Sequence, residues 1–257
     1  MRVEPHRVSP WFLLLLAITA AGAVLAVIGT PYALAEGSSV LLTTGIVLLV
    51  LGGWAVSLCL HEFGHAFTAY RAGDYSVRAS GYLTLDIRRY TDIGLSFVLP
   101  IVILLVGGIP LPGGAVLINH AAIRSRAAQS LVSLAGPATN LVLGGLLTAA
   151  VAFVSMPIGL AVGLACLAFI QVIAFVLNIL PVPGLDGFGV IEPFLSYSAR
   201  RTAARVRPWA PLVLLLLIIA VPGVSSLFLR VGAVVYGAVG GDVSLAFAGY
   251  SELLFWR

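Results

Sequence analysis

Residues 57–67 read SLCLHEFGHAF and close an apolar run that begins near Val40. A hydrocarbon core of roughly 30 Å takes about 20 residues of α-helix, so the run is long enough to span a membrane. It ends in two histidines and a glutamate. Ionisable groups at that depth are costly and are functional by default. The question posed by these residues is what they do there.

Outward from this stretch, the rest of the chain reads as membrane too. Of 257 residues, 60% are hydrophobic and 9% charged, with a mean hydropathy of +1.10, far from a soluble domain. Stretches 12–29, 40–60, 131–154, 158–178, 210–229 and 231–248 are each long and apolar enough to be spans. Segment 93–107 is borderline, being short and containing Pro100. Residues 12–29 lack a small-residue cleavage pattern and are read as a retained anchor. The expected fold is an all-α polytopic membrane protein of one domain, 1–257. Six transmembrane helices are expected, with a short β or re-entrant layer between helices 2 and 3, a core over 40–190, and accessory helices at 12–29, 210–229 and 231–248.

The layer is expected from residues 71–127, where arginines gather, GGIPLPGG (107–114) breaks regular structure, and SVRASGYLTLDI (76–87) alternates like a strand. All 14 basic residues are arginine, and they sit in loops rather than along one helical stripe, which excludes a nucleic-acid binder. If 93–107 does not span and the N-terminus is cytoplasmic, thirteen arginines lie inside and only Arg230 outside. Both termini and the histidines then face the cytoplasm. Cys59 and Cys166 lie in apolar segments, where they read as packing residues.

His61 and His65 are four residues apart, so on a helix both imidazoles project from one face and can share a metal ion. Glu62 lies on the adjacent flank, within reach of a water at that metal. This is the HExxH arrangement of zinc metallopeptidases; the bland alternative is a chance match at a polar helix end. A catalytic zinc needs a third protein ligand. Asp186 in NILPVPGLDGFG (178–189) follows an apolar span in a segment broken by Pro181, Pro183, Gly184 and Gly187. With 93–107 not spanning, Asp186 reaches the same membrane face as His61. Two alternatives stay open: Asp186 as a turn-capping aspartate, and Glu192 as the third ligand.

These motifs together resemble the site-2 protease family of intramembrane zinc metalloproteases. Its HExxH is matched by His61, Glu62 and His65, and its Asn-x-x-Pro leading to Leu-Asp-Gly by Asn178, Pro181, Leu185, Asp186 and Gly187. Its Gly-x-x-x-Asn is matched by Gly136 and Asn140 in AGPATN. The chain has no room for the PDZ or CBS domains of many members. The resemblance implies Zn2+ held by His61, His65 and Asp186, with Glu62 as general base. Asn140 and Asn178 are expected to bind the substrate backbone or the oxyanion. The 93–114 hairpin and the 75–90 stretch are expected to receive the substrate by edge pairing. The implied partners are the bilayer and a transmembrane protein substrate, such as a membrane-anchored regulator or anti-sigma factor, in a prokaryotic plasma membrane. A transporter or an inactive helix-binding scaffold is the alternative, but no paired repeats and an intact Glu62 speak against both.

Overall fold

The computed structural model describes residues 8–37, 39–90 and 116–256, all helix, turn or irregular chain. Four helices are long and apolar enough to cross a membrane: α1 (Pro10–Glu36), α2 (Val40–Ala72), α5 (Arg126–Phe153) and α6 (Ile158–Asn178). Their ends are written in the sequence. The Ser9 hydroxyl accepts from Trp11 N at 3.2 Å, with Pro10 at the first helical position. Ser39 and Ser125 cap α2 and α5 in the same way. At the far end of α2, Gly73 adopts φ +120°, a backbone that side chains disfavour.

Helices α1 and α2 form an antiparallel hairpin whose backbones nearly touch. A β-carbon on Gly45 would lie 2.8 Å from Ala26 Cα, and one on Gly22 would lie 2.8 Å from Gly45 O. Lipid tails are as apolar as leucine, so such helices associate through close packing of small residues rather than through hydrophobicity. Helix α6 is the centre: 83% of its apolar window is buried, against 22% for α1. It contacts α1, α2 and α5. The carbonyl of Ala72 accepts from Arg124 N at 3.3 Å, so the chain leaves α2 and enters α5 at one place.

Three expectations change. The strand-like 76–87 is instead α3 (Ser76–Ala79), turns, and α4 (Ile87–Tyr90), and no strand occurs among the described residues. Asp74 Oδ1 accepts from Ser76 N at 3.0 Å and Asp86 Oδ1 from Arg88 N at 3.2 Å. Local side-chain bonds of this kind offer the backbone an alternative to a ladder. The spans placed at 210–229 and 231–248 are cut by Pro222-Gly223 and Gly240-Gly241 into α9 (Ala210–Ala220), α10 (Val224–Ala238) and α11 (Val243–Leu253). At about 1.5 Å per residue each is short of a bilayer. Third, Thr43 in the first turn of α2 donates to Glu252 at 2.6 Å, while Ser9 N reaches Thr84 O beyond the far end of that helix. The two ends of the described chain therefore lie at opposite ends of α2, not on one side. The re-entrant element expected at 93–107 and the turn at 107–114 lie outside the described residues.

Candidate metal centre

His61 and His65 occupy successive turns of α2 and turn their Nε2 atoms toward each other, 3.1 Å apart. Asp186 is the first residue of a short helix, α7 (Asp186–Ile191), which follows the turn after α6. Leu185 N bonds Val182 O at 2.9 Å and Gly184 takes φ +102°, and the chain turns there so that Asp186 meets the α2 histidines. The Asp186 oxygens lie 3.1 Å from His61 Nε2 and 3.3 Å from His65 Nε2. Among the described residues these three form the one group of His, Cys, Asp or Glu able to share a metal.

The donor triangle fits zinc. Ligands about 2.0–2.1 Å from a tetrahedral zinc stand about 3.3 Å from one another, close to the edges found here. Both imidazoles are also held in the required tautomer. His61 Nδ1 faces Asn140 Oδ1 at 2.5 Å and His65 Nδ1 faces Val132 O at 2.7 Å. Each Nδ1 donates to an oxygen, which leaves each Nε2 with a lone pair for the metal. Asn140 and Val132 both lie on α5, and so does Gly136. A β-carbon on Gly136 would lie 2.5 Å from His61 Nε2 and strike His65 Nε2 as well. The glycine keeps open the side of the triangle that α5 covers.

Glu62, His61 and His65 are buried, whereas Asp186 leaves 25% of its side chain accessible. Glu192 is not part of the centre, because both of its oxygens are bonded by Arg207 at 2.6 Å. Asn178 is the buried last residue of α6. Sequence reading missed Gln171, whose Oε1 accepts from Asn140 Nδ2 at 2.8 Å. Its signal was available as an amide in the interior of the apolar run 158–178.

A membrane protein whose long helices bring two imidazoles and a carboxylate to zinc-like spacing has known relatives. The profile of peptidase family M50 matches residues 46–163. The chain is 45% identical to Rip2 of Mycobacterium tuberculosis (strain H37Rv) over 98% of this chain and 96% of that protein. Identity to Rip2 of Mycolicibacterium smegmatis is 43%, over 97% and 95%. Against YwhC of Bacillus subtilis it is 29%, over 64% and 77%. The names of all three designate zinc metalloproteases. No solved structure matches. The chain belongs to peptidase family M50, the site-2 protease family, and is a zinc metalloprotease.

Proposed function

We propose that this metalloprotease hydrolyses a peptide bond in or beside the transmembrane segment of another membrane protein. The observation that carries the proposal is the position of His61, Glu62 and His65: buried on a membrane-length apolar helix, with Asp186 meeting both imidazoles.

Zinc bound by His61, His65 and Asp186 supplies a Lewis acid for the scissile carbonyl and makes water acidic near neutral pH. Glu62 takes a proton from the attacking water and returns it to the leaving amine. Asn140, with both polar atoms bonded to protein partners, holds His61 rather than the oxyanion, so hydrogen bonding to the substrate backbone falls to Asn178. A helix satisfies all its amides internally, so the substrate must unwind before it reaches the centre.

Charge supports one orientation. Arg71, Arg78, Arg88, Arg89, Arg124 and Arg126 flank the α2 exit and the α5 entry, at the histidine end of α2. Their bias supports a centre that faces the cytoplasm of a plasma membrane. A cytoplasm-facing centre suits release of a membrane-anchored regulator, an anti-sigma factor among them.

The test is purification in detergent of wild type, Glu62→Gln and Asp186→Ala, with zinc content and cleavage of a single-span substrate measured side by side. Cleavage by wild type, zinc without cleavage in Glu62→Gln, and loss of both in Asp186→Ala is the expected pattern. Cleavage by Glu62→Gln at the wild-type rate contradicts it.

A further inference from the structure

Gln171 sits in the middle of α6 and is 1% exposed. Its Oε1 accepts from Asn140 Nδ2 at 2.8 Å, and Asn140 Oδ1 in turn faces His61 Nδ1 at 2.5 Å. Three helices are thus joined by two buried hydrogen bonds that end on a metal-facing imidazole. Its Nε2 is fully buried and has no partner among the described residues.

We propose that Gln171 is a positioning residue for the metal centre: it holds the Asn140 amide with its oxygen toward His61 and so keeps the His61 Nε2 lone pair directed at the metal. The inference rests on the ligand set proposed above.

The argument is one of donors and acceptors. An asparagine amide can be turned by half a rotation, which exchanges its oxygen and its NH2. Turned that way, Asn140 would offer an NH2 to His61 Nδ1. The imidazole would then need its lone pair at Nδ1 and its proton at Nε2, where Asp186 and the metal position lie. Gln171 Oε1 disfavours this state, because it can only accept and would meet the Asn140 oxygen. Turned the other way, Gln171 would set its own NH2 against the Asn140 NH2, two donors with no acceptor between them. Here the donor stays unpaired while the oxygen remains on Asn140. An apolar side chain would fit the run around it at lower cost.

The experiment is zinc affinity, by competition with a chelating dye, of the purified full chain in detergent. Gln171→Met removes the acceptor at similar length, and its zinc dissociation constant should rise about tenfold, the low end for outer-shell partners of a metal. Gln171→Glu retains an acceptor for Asn140 Nδ2 and should bind zinc like wild type. In an Asn140→Asp background, where either oxygen accepts from His61, Gln171→Met should have no further effect. If Gln171→Met does not yield folded protein, Gln171→Asn, an amide one methylene too short, carries the same expectation. A role confined to helix packing would lower the thermal midpoint of the zinc-free protein and leave zinc affinity unchanged. That result, or a Gln171→Glu variant as weak as Gln171→Met, overturns the proposal. Wild type that binds no zinc overturns the ligand set, and this inference with it.

Discussion

Gly136 stands against His61 so closely that a β-carbon on the glycine would lie 2.5 Å from the imidazole Nε2. The two residues belong to different long helices, α5 and α2, so their contact sets how near α5 comes to the donor triangle. It also gives a physical reason for glycine at the head of the Gly-x-x-x-Asn pattern: one residue leaves room for the donors and the next turn supplies the oxygen that orients one of them.

Gly136→Ala should therefore cost metal before it costs fold. The methyl group falls where two Nε2 atoms converge, and zinc affinity should drop about 100-fold or more, the upper range for changes beside a metal. Gly145→Ala on the same helix meets nothing within 4 Å. That variant should bind zinc like wild type, and chelator competition on the pair checks both.

Asp186 and Glu192 were both open as the third ligand, and only Asp186 meets the histidines. Glu192→Ala should keep wild-type zinc content, losing only a partly exposed ion pair with Arg207. A pair of that kind is worth about 0–1 kcal/mol. Asp186→Ala should lose zinc, as metal analysis of the purified variants will show.

The α1–α2 hairpin makes a prediction about stability alone. Gly45→Val places a branched side chain against the Ala26 backbone, which cannot yield without parting the helices. Overpacking of this kind costs about 1–3 kcal/mol. The thermal midpoint in detergent should fall while the zinc affinity of the folded fraction is retained.

Glu62→Gln separates chemistry from binding. The amide cannot take a proton, and loss of a general base costs about 10²–10⁴ in rate. Zinc affinity should change little, because the donors are His61, His65 and Asp186. Single-turnover cleavage together with metal analysis checks the separation.

Much of the centre was legible because its chemistry depends on spacing. His61 and His65 at i and i+4 share a helix face wherever that helix lies, and Asp186 stood out among few acidic residues because Pro181, Pro183 and Gly184 break the chain around it. What was not legible depended on contacts. Asn140 is a plausible oxyanion donor until its two polar atoms are seen bonded to His61 and Gln171. The 76–87 stretch has strand-like alternation, but Asp74 and Asp86 turn the backbone back on itself. Hydropathy counted 210–229 and 231–248 as continuous, since Pro222-Gly223 and Gly240-Gly241 barely lower a window average while still ending helices.

The central claim, chemistry inside the bilayer, is tested most directly by where the cut falls. Purified wild type reconstituted with a single-span substrate in lipid vesicles, followed by mass spectrometry of the products, should give fragments whose new ends lie within or at the edge of the substrate's apolar segment, and none with Glu62→Gln. New ends only in the substrate's soluble regions, well away from the membrane, would contradict the account.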